Sequence, residues 1–181
     1  MKIAILGYGK MGKAIEKIAL FRGHEIVLRI NRKNTIDLNI DNLRKADVVI
    51  DFSIPESAKN NILLAIDAKK PIISGTPGWL KSYNEVVKYC TENNSTFLYA
   101  SNFSLGVNLF FELNKKLAKL MKYHKEYEID ISEIHHTQKL DYPSGTAISL
   151  AEQIISENNN KIDWTIETIN SSKQIKINTS W

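Results

Sequence analysis

Two imidazoles, an ammonium and a run of small hydroxyl residues lie within twelve positions of one another: His135, His136, Lys139 and Ser144-Gly145-Thr146. Histidine titrates nearest to neutral pH, so one ring of the pair can donate a proton while the other contacts a substrate. Lys139 adds a fixed positive charge. Pro143-Ser144-Gly145-Thr146 opens an apolar segment that reads as a helix. A helix start offers free N–H groups, here beside two hydroxyls, and suits a carboxylate. Taken together, the residues describe proton donation to a substrate that carries negative charge. The plainer reading is that Ser144 is only a helix cap and that the histidines are ordinary loop residues. His135 and His136 are neighbours at a strand end and start on opposite faces, a poor arrangement for sharing one metal. The chain has neither a cysteine cluster nor an HExxH helix, so no metal is expected.

A second chemical motif stands at the start of the chain, Gly7-Tyr8-Gly9-Lys10-Met11-Gly12. It closes an apolar run at residues 2–6 and opens a helical stripe carrying Ala14, Ile15, Ile18 and Ala19. GxGxxG binds a dinucleotide in that context. Gly7 serves the tight turn, Gly9 lets the backbone approach a pyrophosphate, and Gly12 lets the helix pack against the sheet. The acid usually found about 20 positions further on is absent, and Asn31-Arg32 stands there instead. Asn31 can bond a ribose hydroxyl, and Arg32 can pair with a 2′-phosphate or be a solvated surface arginine. The cofactor is therefore NADPH or NADH, with a lean toward NADPH. Ligands of such sheets sit at the carboxyl ends of the strands. Those ends carry Asp51-Phe52-Ser53, Gly75-Thr76-Pro77-Gly78 and Ala100-Ser101-Asn102-Phe103. Phe52 and Phe103 can line a nicotinamide or serve the core.

The elements that must hold these groups alternate. Strands are expected at residues 2–6, 25–30, 47–50, 71–74 and 96–100, with helices at 13–22, 55–68 and 80–93. Alternation of this kind builds βαβ units and a parallel sheet. Beyond Ser101 the pattern changes. Residues 107–124 read as one long amphipathic helix burying Val107, Phe110, Phe111, Leu117, Leu120 and Met121. A half-buried strand at 127–135 follows, then a helix at 147–156 and strands at 164–169 and 174–178. The expected fold is α/β: a Rossmann-type domain over residues 1–103, then an α+β substrate domain with a mixed sheet over residues 104–181. An apolar fraction of 43% supports a real core. The net charge of +4 is spread among interspersed acids and bases, unlike the basic stripe of a nucleic-acid binder. The single Cys90 rules out an intrachain disulfide and reads as a small buried hydrophobe. No apolar run approaches the roughly 18–20 residues of a membrane span.

The run from Glu133 to Ala147, Glu-Ile-His-His-Thr-Gln-Lys-Leu-Asp-Tyr-Pro-Ser-Gly-Thr-Ala, closely resembles the signature of the dihydrodipicolinate reductase family. Gly7–Gly12, Asp51-Phe52-Ser53, Gly75–Gly78 and the segment from Asn102 to Asn108 resemble its other segments, in the family's order. The resemblance implies a cytoplasmic homotetramer of the lysine and diaminopimelate pathway that reduces a cyclic dicarboxylate with NADH or NADPH. It implies that His135 is the proton donor and acceptor and Lys139 a second proton donor. His136, Gly145 and Thr146 would contact substrate, with Ser144 beside them. Gly7, Tyr8, Gly9, Lys10, Met11, Gly12, Gly75, Thr76, Pro77, Ala100, Ser101, Asn102 and Phe103 would contact the cofactor, with Phe52, Asn31 and Arg32 near it.

Some features depart from the family. Ile54 stands where some members have an arginine, and Asn31-Arg32 stands where some carry an acid-arginine pair, which leaves the cofactor preference open. Members usually continue past Trp181 with an Arg- and Gly-rich substrate segment, so an incomplete second domain is expected. A rival reading is a nucleotide-binding module without catalysis, distinguished by cofactor binding with no turnover.

Overall fold

The computed structural model describes residues 1–137, 139 and 142–181, so Gln138, Leu140 and Asp141 of the central motif lie outside it. The chain divides into two compact units, Met1–Ser101 and Asn102–Trp181.

The first unit is a five-stranded parallel sheet. Its strands are β1 (Lys2–Leu6), β2 (Glu25–Ile30), β3 (Val48–Asp51), β4 (Ile72–Ser74) and β5 (Phe97–Tyr99), in the order β2-β1-β3-β4-β5. Four of the five residues of β1 are buried because helices cover both faces of the sheet. Successive residues point to opposite faces. Ile3 and Ile5 join Ala19 of α1 (Lys10–Phe21) and Ile26 in one cluster. Ala4 and Leu6 join the larger core, with Ile62 and Ile66 of α3 (Pro55–Asp67) and Val86 and Cys90 of α4 (Tyr83–Glu92). Pro55 starts α3, where its missing N–H costs nothing. The short helix α2 (Ile40–Arg44), capped by Asn39, was not anticipated, since five residues show no periodicity. The helix expected at 80–93 is a 3₁₀ turn, Leu80–Ser82, leading into α4.

The second unit contains α5 (Leu105–Met121), β6 (Asp130–Ile134), α6 (Gly145–Glu157), β7 (Asp163–Thr165) and β8 (Gln174–Ser180). Its sheet order is β6-β8-β7. The mixed sheet expected from the sequence is parallel over these strands, since β6 and β7 both run parallel to β8. A parallel return normally needs a long crossover. Here β7 has only three residues, so the segment 166–173 can carry the chain back to its start. Ile175 and Ile177 of β8 pack against Ala147, Ala151 and Ile154 of α6.

Helix α5 departs from its expected buried face. Phe111 is buried, Val107 and Met121 are half-buried, and Phe110, Leu117 and Leu120 are exposed. The helix is apolar over more of its circumference than one partner covers. Its packed stripe runs through Phe111, Asn114 and Ala118. Asn114 Nδ2 donates to the Leu150 carbonyl at 3.1 Å and to Gln153 Oε1 at 3.1 Å, which ties α5 to α6. Among the described residues, no helix is long and apolar enough to cross a membrane.

Candidate active site

The strand order of the first unit reverses between β1 and β3, and a cleft of about 690 Å³ opens at the carboxyl ends there. Gly7, Tyr8, Gly9, Asn31, Arg32 and Phe52 line it together. The glycine turn is pinned from two sides. The N–H groups of Gly7 and Tyr8 both donate to the Ile30 carbonyl, at 3.0 and 2.8 Å. Gly7 has φ +90°, and a Cβ there would lie 2.1 Å from the Phe52 carbonyl oxygen, so only glycine fits. A Cβ on Gly12 would lie 2.5 Å from the Gly7 carbonyl oxygen. At Gly9 a Cβ would meet nothing within 4 Å. The first and third glycines are thus demanded by the fold, while the second leaves open space.

Helix α1 begins at Gly9 with no side-chain cap, whereas Ser104 caps α5 and Ser144 caps α6. An uncapped helix start lined by Lys13, Arg32 and Lys33 suits an anion. These groups and the open space at Gly9 fit a dinucleotide pyrophosphate. Tyr8 donates its hydroxyl to Glu16 of α1, which also accepts from Arg29 Nε at 2.8 Å. The hydrogen bonds of Arg29 and Tyr8 hold the Glu16 carboxyl below its ordinary range, against the opposing effect of burial. Asn31 Oδ1 accepts from the Lys33 N–H at 2.8 Å, which leaves its amide N–H₂ to face a ligand. Lys10 and Met11 are exposed in the first turn of α1.

The ends of β3 and β4 are locked by the first residue of the Asp51-Phe52-Ser53 segment. Asp51, fully buried, accepts from Asn61 Nδ2 at 2.8 Å, Ser74 Oγ at 2.9 Å and Thr76 Oγ1 at 2.7 Å. Thr76 Oγ1 in turn accepts from the Ser53 N–H at 2.9 Å. The Thr76 N–H also donates to Ser74 Oγ at 3.4 Å, so its side chain and its N–H are both engaged inside the protein. A Cβ on Gly75 would lie 2.3 Å from the Phe52 ring, so that ring packs directly against bare backbone. Pro77 is exposed just beyond. Ala100 donates its N–H to the Ser74 carbonyl at 3.3 Å, and Ser101 ends the first unit. Asn102 and Phe103 begin the second, where Asn102 Oδ1 accepts from the Ser104 N–H at 2.8 Å and Phe103 is exposed.

In the second unit the histidine segment follows β6. The His135 N–H donates to the Ser180 carbonyl at 2.9 Å, which extends the ladder one residue past the strand. Glu133 and His135 lie two residues apart and so share a side. His135 Nε2 lies 2.9 Å from Glu133 Oε2. The distance is that of an ion pair, and its angle is off that of a good hydrogen bond. Glu133 Oε1 accepts from the Ser144 N–H at 2.9 Å and from Thr179 Oγ1 at 2.9 Å. Burial alone would push the Glu133 carboxyl up, but the hydrogen bonds from Ser144, His135 and Thr179 outweigh it and hold the pKa at about 2. Neither Glu133 nor Thr179 was singled out from sequence. The two-residue spacing from Glu133 to His135 was the available signal.

Ser144 Oγ accepts from the Ala147 N–H at 3.1 Å. With the Ser144 N–H taken by Glu133, the N–H groups of Gly145 and Thr146 are the ones left for a ligand among the described residues. His136 is exposed and Lys139 half-buried. The Lys139 N–H donates to the His136 carbonyl at 3.0 Å, and Trp181 Nε1 donates to the Lys139 carbonyl at 3.3 Å. Trp181 also meets Tyr142 edge to face, with ring centroids 5.5 Å apart. The end of β8 therefore helps to hold the loop that carries Lys139. A second cleft in this unit, about 900 Å³, lies along α5 and α6 and includes none of His135, Lys139 and Ser144.

Comparison with known proteins agrees with both halves. Residues 1–103 match the family model for the N-terminus of dihydrodipicolinate reductase, and residues 106–180 match the model for its C-terminus. A 4-hydroxy-tetrahydrodipicolinate reductase from Christiangramia forsetii is 48% identical over 167 residues, covering 92% of this chain and 69% of the relative. One from Rickettsia rickettsii is 34% identical over 174 residues, covering 94% of this chain and 71% of the relative. The solved dipicolinate-bound dihydrodipicolinate reductase from Paenisporosarcina sp. TG-14 superposes with a TM-score of 0.69 at 25% identity. It covers 99% of this chain and 78% of its own. With family models matched over nearly its whole length, the chain belongs to the dihydrodipicolinate reductase family.

Proposed function

We propose that the chain reduces 4-hydroxy-tetrahydrodipicolinate to tetrahydrodipicolinate with NADPH or NADH, in the lysine and diaminopimelate route of the cytoplasm. The observation that carries this reading is the start of α6. There a half-buried carboxylate satisfies the Ser144 N–H while, among the described residues, the Gly145 and Thr146 N–H groups have no partner. Those two N–H groups bind a substrate carboxylate, and the positive end of the helix dipole strengthens the contact. His136 and Lys139 supply further contacts to the dicarboxylate.

The dinucleotide supplies a hydride when bound. The chain's own residues do the rest. The uncapped start of α1 and the bare backbone at Gly9 hold the pyrophosphate, and Asn31 and Arg32 take the ribose end. Phe52 against Gly75, with the strand-end segment from Ala100 to Phe103, borders the nicotinamide. His135 gives a proton to the ring as it is reduced, and Lys139 is the second proton donor. General acid catalysis of this type contributes about 10²–10⁴ in rate. Residues 1–103 act as the dinucleotide domain and residues 104–181 as the substrate domain. The working assembly is a homotetramer, a reading supported by the uncovered leucines of α5, Leu109, Leu113, Leu117 and Leu120.

The test is NADPH and NADH oxidation, followed by absorbance, with the substrate generated enzymatically in place. Turnover that disappears in His135→Ala is the expected result. Tight NADPH or NADH binding without turnover would instead make the chain a nucleotide-binding module.

A further inference from the structure

We infer that Glu133 is a positioning residue that fixes the hydrogen on His135 Nε2, so that Nδ1 is the nitrogen that gives its proton to the substrate. This deepens the proposed reduction and rests on that reading.

The carboxylate is held from three directions. It stands on β6, its Oε1 accepts from Thr179 of the paired strand β8, and the same oxygen accepts from Ser144 at the start of α6. These contacts leave Oε2 beside the imidazole, 2.9 Å from Nε2. Nε2 is sealed from solvent, and among the described residues it has no other hydrogen-bonding partner. An ionised carboxylate only accepts, so a bare nitrogen lone pair facing it would be repelled while an N–H is favoured. The partner at one ring nitrogen sets the tautomer and thereby the role of the other. Nε2 then keeps its hydrogen throughout, which assigns the exchange to Nδ1.

The proton balance follows. The imidazolium carries hydrogens on both nitrogens. It gives the Nδ1 hydrogen to the accepting atom of the substrate and becomes the neutral Nε2–H form. Glu133 stays ionised on both sides of the step, in keeping with its strongly lowered pKa. The same carboxylate also removes the Ser144 N–H from competition, which confines substrate binding to the two N–H groups that follow. Acid and carboxylate site are thus set by one side chain.

The first experiment reads the tautomer directly. Long-range ¹H–¹⁵N spectra of the unmodified chain, labelled at histidine and assigned with His135→Gln, should show neutral His135 as the Nε2–H form. The Nδ1–H form there would overturn the inference. Because it needs no turnover, this measurement stands apart from the proposed activity. The second experiment uses Glu133→Gln, whose amide oxygen can still accept from Ser144 and Thr179 while its N–H₂ faces Nε2. We expect the tautomer to reverse, Tm to fall, and kcat, read at a temperature where the variant is folded, to drop about 10–100-fold with NADPH affinity close to that of the parent chain. In a His135→Ala background the same change should cost little more, since the two residues act as a unit. Losses that simply multiply, or a kcat that holds at temperatures where the variant is folded, would reduce Glu133 to a structural brace.

Discussion

Gly9→Ala and Gly12→Ala should separate binding from folding within one motif. At Gly9 the added methyl meets no protein atom within 4 Å, and φ is −94°, so no left-handed backbone is lost. Replacing glycine also removes some freedom from the unfolded chain, worth about 0.4–1 kcal/mol in favour of the fold. The stability of Gly9→Ala should therefore stay within about 1 kcal/mol of the parent. The methyl does, however, fill the space where a pyrophosphate must approach the backbone. A NADPH affinity loss of about 10–100-fold, or roughly 1.4–2.8 kcal/mol, is expected. Gly12 is the reverse case. Its methyl would lie 2.5 Å from the Gly7 carbonyl oxygen and 3.2 Å from Ile5 Cγ2. The oxygen is backbone and cannot swing away, so α1 must shift from the sheet at a cost of about 1–3 kcal/mol. For a chain of this size each kcal/mol moves Tm by about 2–4 °C. Thermal melts and a calorimetric titration with NADPH, run on both variants, give the two readouts. Unchanged NADPH affinity in Gly9→Ala would place the pyrophosphate elsewhere. A Tm loss in Gly9→Ala equal to that of Gly12→Ala would show that the second glycine is a packing residue too.

Arg32 lines the cleft where the customary acid is missing, so Arg32→Ala should weaken NADPH by about 10-fold while NADH changes by less than about 2-fold; equal losses, measured by the same titration, would exclude a role at the 2′-phosphate. Asp51→Asn turns one of the three accepted hydrogen bonds of that buried carboxyl into a clash of donors, and a loss of roughly 1–3 kcal/mol in urea unfolding is expected. Glu133 makes stability depend on acid. Its pKa falls from 4.5 to about 2 in the folded chain, so the unfolded chain takes up the proton first as pH drops. The stability it contributes is whole above about 4.5, is lost as pH falls toward 2, and amounts to as much as about 3 kcal/mol. Glu133→Gln should flatten the Tm profile in that window, and an unchanged slope between pH 5 and 2 would contradict the arrangement.

The first unit was legible because each of its elements has a local cause. A buried apolar run, a glycine turn and a helical stripe follow one another, and each requires the next. The second unit was less legible for a related reason. Strand direction is set by how far a connection must reach, and β7 proved so short that a parallel return fits where a mixed sheet was expected. Helix α5 misled in another way. Periodicity identifies apolar positions but cannot say which of them find a partner, and in α5 Phe111 does while Phe110 does not.

The same distinction governs the site. His135, Lys139 and the start of α6 could be named because imidazole, ammonium and a helix opening are conspicuous by type. Glu133 and Asp51 stand inside the same motifs but draw no role there, because an acid in a sequence is usually a solvated charge. What makes them matter is the number of groups the fold brings to them, three in each case. Those groups come from residues up to 46 positions away, as Thr179 does for Glu133. The residues that do the chemistry can thus be read along the chain. The residues that aim them become visible only when β8 is laid beside β6 and α3 beside β3.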